Sequence, residues 1–309
     1  MSLKKNLRIA LIAGGHSSER EVSLRGSKAV DKALRELGHE VEFFDPAYDL
    51  RRLVDRASTL DLAFLVIHGP GGEDGTLQGF LDMLGLPYQG AGVLGSALAM
   101  HKGIAKSIYE LAGLPVPKGR VFGKDNSLDE MREFVKTLGL PMIVKPAMQG
   151  SSIGLSLVKR IEDLPQAIEV AFSQDKEILL EEYIQGREMT VGILGEEALP
   201  VVEIVPKADF FNYETKYTPG MAEEICPARI GFDLTSKAQD YALRAHKALY
   251  LRHYSRTDLI LKEGEFFVLE TNTIPGMTET SLLPLAAKVA GYSFKSLIAK
   301  LIELALEED

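Results

Sequence analysis

Cysteine, tryptophan and long apolar runs are what this 309-residue chain has least of: one Cys, no Trp, and only 7% aromatic residues. With Cys226 alone, no intrachain disulfide can form, which fits a reducing compartment. Ile225 and Pro227 flank it and no histidine pattern accompanies it, so it reads as a packed thiol rather than a nucleophile. No segment reaches the ~20 apolar residues of a membrane helix. The short apolar stretch at 7–13 runs into Gly-Gly-His-Ser-Ser-Glu-Arg-Glu with no small-residue cleavage site, so a buried first strand is expected rather than a secretion signal. A basic run is missing too. Lys and Arg number 35 against 44 Asp and Glu, a formal net charge of −9. That argues against nucleic acid or an anionic membrane as partner, while leaving room for a small anion held by a local lysine cluster. After the first strand stands only Gly14-Gly15, not the Gly-x-Gly-x-x-Gly of dinucleotide enzymes.

What is present is an ordinary globular composition, 46% hydrophobic and 26% charged, in a chain long enough for two or three domains. Residues 7–100 alternate short apolar runs (7–13, 41–44, 62–67) with amphipathic helical stretches, the first capped by Ser17 or Ser18 and running to 37. This pattern predicts a parallel sheet, with ligands beyond the carboxyl ends of its strands. Two polar, Gly-rich loops emerge there, 14–21 and 68–75. From about 101 the texture changes to strands at 118–122, 142–145 and 178–182, a helix at 127–138 and a small-residue turn at 150–154. A boundary is expected near Gly186. Strands at 188–194 and 199–205 follow, then a polar and aromatic stretch at 207–223 without period, and helices near 234–250 and 293–306. The fold expected is α/β, becoming α+β in the C-terminal two-thirds, with units at 1–100, 101–185 and 186–309.

The chemistry concentrates in a hairpin near the C-terminus. Glu270 and Asn272 are two apart on a strand and share a face. A three-residue loop at 263–265 would set Asp258 opposite Glu270; a two-residue loop would do so only with a bulge. Two carboxylates and an amide oxygen at one spot form the hard-oxygen pattern of Mg²⁺ shared with substrate phosphates; the plain alternative is an acidic, solvated strand face. Lys145 beside Gly150-Ser151-Ser152 is either a phosphate-binding flap or a hairpin turn with a surface lysine. Glu181, Tyr183 and Ile184 at a strand end can read a nucleobase edge and Glu188 can take ribose hydroxyls, or the stretch is simply solvated. Glu19 at the start of the first helix is a cap or a carboxylate for a substrate ammonium, with His68 on the neighbouring loop.

Taken together these segments resemble the D-alanine:D-alanine ligases of the ATP-grasp superfamily. The matching stretches are Gly-Gly-His-Ser-Ser-Glu19-Arg-Glu-Val-Ser, His68-Gly-Pro-Gly-Gly-Glu-Asp-Gly-Thr-Leu-Gln-Gly, Met-His-Lys102, Ile-Val-Lys145-Pro and Gly-Ser151-Ser. Leu-Glu181-Glu-Tyr, Arg187-Glu188-Met-Thr-Val, Tyr-Glu-Thr-Lys216-Tyr217, Arg256-Thr-Asp258 and Leu-Glu270-Thr-Asn272-Thr-Ile-Pro-Gly276-Met-Thr-Glu-Thr-Ser281 complete the set. They span almost the whole chain in the family's order. The resemblance implies a three-domain ATP-grasp enzyme that joins two D-alanine molecules through a D-alanyl phosphate, as a cytoplasmic homodimer supplying peptidoglycan synthesis. It implies Lys102 and Lys145 at the ATP phosphates, Ser151 and Lys216 as further ATP-binding residues, Glu181 with the backbone of Tyr183 and Ile184 at adenine, and Glu188 at ribose. Asp258, Glu270 and Asn272 would bind two Mg²⁺ ions, with Mn²⁺ as a substitute. Glu19, with His68 close by, would hold the first D-alanine and Ser281 the second, while Arg256 and the Gly276 N–H face the oxyanion. Tyr217, on the 207–223 lid, would engage Ser151 and Glu19 and favour the dipeptide over the D-alanyl-D-lactate ester. Two stretches depart from the pattern. Arg252-His253 stands where relatives often carry a Gly-rich turn, and Met148-Gln149 replaces a more polar flap.

Overall fold

The computed structural model describes residues 6–206 and 222–307. Lys216, Tyr217 and nearly all of the expected lid lie outside the described residues. Among the described residues no helix is long and apolar enough to cross a membrane.

The first sheet is parallel, as the alternation predicts. Its strands β1 (Arg8–Ala13), β2 (Glu40–Phe44) and β3 (Leu62–Val66) lie in the order β2-β1-β3. The loops at 14–19 and 67–75 leave the carboxyl ends of the adjacent strands β1 and β3, which brings them together. Helix α1 (Arg20–Glu36) does not take Ser17 or Ser18 as its cap. Glu19 occupies that position, without a side-chain capping bond. Ser17 is used elsewhere: its hydroxyl donates to the His68 carbonyl at 2.7 Å and accepts the Glu19 N–H at 3.2 Å, tying the two loops. Short helices α2 (Leu50–Arg56) and α3 (Thr76–Met83) follow.

Helices α4 (Val93–Met100) and α5 (Lys102–Leu111) lead to a four-stranded antiparallel sheet of β4 (Gly119–Gly123), β5 (Met142–Pro146), β6 (Ser156–Val158) and β7 (Glu177–Glu182), ordered β4-β7-β5-β6. Met142, Val144, Ile178 and Leu180 pack with residues of α6 (Leu128–Leu138) and α7 (Leu164–Phe172). Alternation then puts Ile143, Lys145, Leu179 and Glu181 on the opposite face, with Ile143 paired to Glu181 and Lys145 to Leu179.

The third sheet is antiparallel, ordered β11-β10-β8-β12-β13, with β9 (Glu197–Ala198) on β8. Its strands are β8 (Arg187–Leu194), β10 (Val202–Pro206), β11 (Ala222–Ile225), β12 (Tyr254–Lys262) and β13 (Glu265–Asn272). The strand expected from 199 begins only at Val202, because Pro200 has no N–H for the ladder. Helices α8 (Phe232–Ala248), α9 (Leu282–Val289) and α10 (Phe294–Leu306) complete the fold. The sequence reading missed α9. Its Pro284 reads as a breaker, yet it sits in the first helical turn, where the N–H has no intrahelical partner to lose. Two cores join these layers. Ile9, Leu11, Phe64 and Val66 pack with Met277, Leu283, Leu297 and Leu301, while Ala105 and Tyr109 of α5 pack with Val191, Leu259, Phe266 and Val268. Cys226 packs against the first of these, and burial pushes its thiol up to about 11, consistent with an unreactive role.

The acidic hairpin closes through the two-residue turn Glu263-Gly264, both at positive φ (50° and 83°), and not through three residues. Lys262 pairs with Glu265 and Leu259 with Val268; a bulge then restores Asp258 opposite Glu270 and Arg256 opposite Asn272. The hydrophobic pattern explains the choice. A bulge-free ladder from a three-residue loop would place Phe266 and Val268 on the face of Asp258 and Glu270. With the bulge, Leu259, Leu261, Phe266 and Val268 share the core, while Glu270 and Asn272 turn to the other side. Thr271 continues the buried face and is held by the Tyr109 hydroxyl at 2.7 Å and Thr257 at 3.0 Å.

The departure at Arg252-His253 has a local account. His253 adopts φ 61°, a left-handed conformation that costs a non-glycine residue about 1–2 kcal/mol. Its ring Nδ1 accepts the Gly90 N–H at 3.0 Å, and Arg252 Nε donates to the Gly90 carbonyl at 3.1 Å. At ~1 kcal/mol each, these bonds offset the strain and fasten the loop before α4 to the start of β12.

Candidate active site

The loops of the first sheet supply a buried carboxylate. Glu19 is 6% exposed and its Oε1 accepts the Ser151 hydroxyl. Backbone closes over it from two sides. A Cβ built on Gly150 would lie 2.6 Å from Glu19 Oε2, and one on Gly69 would lie 3.1 Å away. Ser151 and Ser152 both have positive φ (54° and 58°), which curls the 150–154 turn onto the first-sheet loops. The capping reading of Glu19 therefore gives way to a carboxylate shared with the flap. Because Gly150 has no room for a side chain, Gly150→Ala is expected to displace Glu19. For the substrates that the resemblance implies, the amino-acid KM is expected to rise about tenfold or more with far less effect on the nucleotide KM, measured by steady-state phosphate release.

Beside Glu19 lie His68 and Glu73. Burial lowers the His68 pKa; Glu19 opposes this and Arg256 adds to it, so the imidazole stays neutral near pH 7. Glu73 falls within the His68-Gly-Pro-Gly-Gly-Glu stretch, where in sequence it reads as an ordinary solvated loop acid. It accepts the Gly69 N–H at 2.7 Å and the Ile274 N–H at 3.3 Å, bridging the first-sheet loop to the segment that carries Gly276. Burial, and then the charge of Glu19, push its carboxyl up to about 8. A carboxyl raised on folding binds more protons in the native than in the unfolded chain between about pH 4.5 and 8, so its contribution to stability declines as pH rises through that window. Glu73→Gln should remove this slope. The melting-temperature difference, variant minus parent, should become more positive from pH 5 to pH 9, and a pH-independent difference would count against it.

The hairpin face carries the densest polar network. Arg256 holds Asp258 with a two-pronged contact, Nε to Oδ1 at 2.9 Å and Nη2 to Oδ2 at 3.0 Å. Thr190 Oγ1 donates to Asp258 Oδ1 at 2.6 Å and Asn272 Nδ2 to Oδ2 at 3.2 Å. Asn272 Nδ2 also reaches the Arg256 carbonyl at 3.4 Å, so its amide oxygen is the atom suited to a cation. Among the described residues no three His, Cys, Asp or Glu side chains form a metal cage. The set here is two carboxylates and one amide on paired strands, which fits a hard cation completed by substrate oxygens.

Lysines face these acids. Lys102 Nζ lies 3.5 Å from Glu270 Oε2 and donates to the Gln149 carbonyl at 2.6 Å. That contact uses the main chain, so the Met148-Gln149 departure leaves it intact. Lys145 Nζ is 2.6 Å from Glu181 Oε1, and Lys106 Nζ is 2.8 Å from Glu181 Oε2. Burial alone would raise Glu181; the two ammonium groups hold it below the usual carboxylate range. Burial would likewise lower Lys145, but Glu181 and Glu270 keep it above its ordinary value. Lys106 was missed in the sequence, where a lysine on an amphipathic helix reads as solvated. The available signal was its place one turn after Lys102, on the same stripe as the buried Ala105 and Tyr109.

Glu181 leads through Glu182 to Tyr183, whose N–H donates to the Pro141 carbonyl at 3.3 Å, and to the buried Ile184. Tyr183 lines a cavity of about 520 Å³ with Leu140, Pro141, Leu157, Lys159 and Gln185. Burial, then the charge of Glu188, raises its phenol pKa. Glu188 stands on β8 opposite Ile204 and Ile260. Ser281 occupies the N-cap position of α9, but its hydroxyl is engaged with Thr278, accepting the N–H at 3.1 Å and lying 2.7 Å from Oγ1. A Cβ on Gly276 would come within 3.1 Å of Ser281 Oγ, so these two residues adjoin.

The family profile of the D-ala D-ala ligase N-terminus matches residues 48–91, and that of the C-terminus matches residues 108–303. The D-alanine–D-alanine ligase of Syntrophobacter fumaroxidans is 50% identical over 313 residues, covering 100% of both chains. That of Desulfotalea psychrophila is 52% identical over 311 residues, covering 98% of this chain and 96% of its own. Among solved structures, the ATP-complexed D-alanine–D-alanine ligase of Bacillus anthracis superposes with a TM-score of 0.86 at 33% identity, over 97% of this chain and 98% of that one. The VanG D-Ala:D-Ser ligase of Enterococcus faecalis gives 0.84 at 33% identity, over 97% and 100%. By profile, sequence and structure, the chain belongs to the D-alanine–D-alanine ligase family.

Proposed function

We propose that this chain joins two D-alanine molecules into D-alanyl-D-alanine, cleaving ATP to ADP and phosphate through a D-alanyl phosphate. The observation that carries this reading is the convergence of Asp258, Glu270 and Asn272 on one strand face, with Lys102 against Glu270 and Lys145 beside it, in a chain whose relatives over its full length are such ligases. The units 1–100, 101–185 and 186–309 each contribute to the site: the first Glu19 and His68, the second Lys102, Lys145 and Ser151, the third the hairpin and Ser281.

A carboxylate resists attack by an amine because its charge repels the incoming electron pair; phosphorylation removes that obstacle. Glu19 holds the ammonium of the first D-alanine. Lys102 and Lys145 neutralise charge on the ATP phosphates. Asp258, Glu270 and Asn272 would hold two Mg²⁺ ions, or Mn²⁺, which when bound supply further positive charge to the phosphoryl group in flight. Adenine lies against Glu181, Tyr183 and Ile184, with Glu188 on the ribose. The carboxylate of the second D-alanine sits at Ser281, where the positive end of α9 favours an anion. Its amine attacks the acyl carbon, and the neutral imidazole of His68 is suited to accept the amine's proton. Arg256 and the Gly276 N–H stabilise the oxyanion, and phosphate leaves. Water would destroy the acyl phosphate, so turnover requires a site shut off from solvent; the expected lid with Tyr217 lies outside the described residues. The setting is the cytoplasmic supply of dipeptide for peptidoglycan, by a homodimer.

Phosphate release is measured with Mg-ATP and D-alanine, with L-alanine, D-serine and D-lactate offered as second substrates. Release that requires D-alanine and yields the dipeptide supports the reading. Tight ATP binding without D-alanine-dependent release would move the chain to a different carboxylate and amine.

A further inference from the structure

Lys106 is a buried ammonium that the steps above do not use. It is 5% exposed, one helical turn from Lys102, and its only ion-pair partner among the described contacts is Glu181, itself 3% exposed. Glu181 divides its two oxygens between two lysines: Oε2 to Lys106 at 2.8 Å and Oε1 to Lys145 at 2.6 Å. Burial pulls the Lys106 ammonium below its ordinary value, Glu181 opposes this and Lys145 adds to it; one carboxylate can neutralise one ammonium, so with both lysines protonated the triad carries one excess positive charge out of reach of bulk water. Buried charge is retained in proteins where something compensates it. The neighbouring acid, Glu270, faces Lys102 at 3.5 Å and also adds to the field at Lys145.

We propose that Lys106 is a positioning residue of the nucleotide site: by occupying half of Glu181, it keeps the Lys145 ammonium from being fully neutralised and so available to a polyphosphate. The inference rests on the ATP reading above. Without Lys106, Glu181 and Lys145 become a closed, neutral pair. With both Lys106 and Glu181 made neutral, the excess charge returns, now on Lys145 alone. A packing role predicts no such recovery, because the double variant is further from the native contacts than either single one.

The test uses the full chain and two readouts. The first is the KM for ATP and for D-alanine, taken separately with kcat. The second is direct binding of inorganic tripolyphosphate by calorimetry, a probe without the adenine that Glu181 also serves. Lys106→Gln should weaken tripolyphosphate binding and raise the KM for ATP by about tenfold or more while the D-alanine KM stays within about twofold. Lys106→Arg, which keeps the charge, should stay within about threefold of the parent. The Lys106→Gln, Glu181→Gln double variant should bind tripolyphosphate more tightly than Lys106→Gln alone. The proposal is overturned if Lys106→Gln binds tripolyphosphate as the parent does, or if the double variant is no better than the single. Should Lys106→Gln not fold, Lys106→Arg and Glu181→Gln decide: equal tripolyphosphate affinity in Glu181→Gln and the parent overturns the charge argument. Calorimetry needs no turnover, so a failure of the ligase reading shows as missing D-alanine-dependent phosphate release and leaves this result legible.

Discussion

Glu270→Gln is expected to lower kcat by about a thousandfold and to raise the Mg²⁺ concentration for half-maximal activity at least tenfold, with the fold intact. The amide keeps the shape of the side chain and can still meet Lys102, whose ammonium is 3.5 Å from Oε2. What disappears is one of two negative charges on a face where Asp258 is already engaged by Arg256, Thr190 and Asn272. A cation shared with phosphates binds through such charge, so removing it acts on metal affinity and on the phosphoryl step together. Titration of activity with Mg²⁺ at saturating ATP separates these effects. An unchanged Mg²⁺ dependence would remove Glu270 from the metal set.

Arg256→Ala should cost a comparable factor, about 10²–10³ in kcat, with a loss of stability as a second signature. The guanidinium makes two bonds to Asp258, and both side chains are largely shielded. Truncation removes the Arg256 charge and both of its bonds from Asp258, a loss of about 1–3 kcal/mol once the remaining solvent access is allowed for. Arg256→Lys restores the charge but not the two-pronged geometry. It should recover most of the stability and little of the turnover. Equal recovery of both would mean that Arg256 serves Asp258 alone and not the oxyanion.

Why some of this was readable in the residues and some was not follows from the range of the forces involved. The shared face of Glu270 and Asn272 is a two-residue periodicity, visible in any strand. Their pairing with Asp258 depends on how turn and bulge compensate each other across ten positions, and only the packing of Phe266 and Val268 decides it. The parallel first sheet was legible from alternation, and so was the meeting of the 14–21 and 68–75 loops. Ser17 was misread because local capping chemistry competes with a bond to the His68 carbonyl, 51 residues away in sequence. Lys106 and Glu73 stayed hidden for a similar reason. A lysine on a helix and a glutamate in a glycine-rich loop are solvated by default, and only their distant partners, Glu181 and Ile274, make them otherwise.

The bulge in β13 has one more consequence. In a regular strand neighbouring side chains point apart, so a greasy residue and an acidic one cannot both line the same wall from consecutive positions. At Leu269 and Glu270 alternation breaks: both are partly exposed, between the buried Val268 and Thr271. One extra residue thus sets an aliphatic side chain and a carboxylate at consecutive, partly exposed positions of a single strand, which strict alternation would have forbidden.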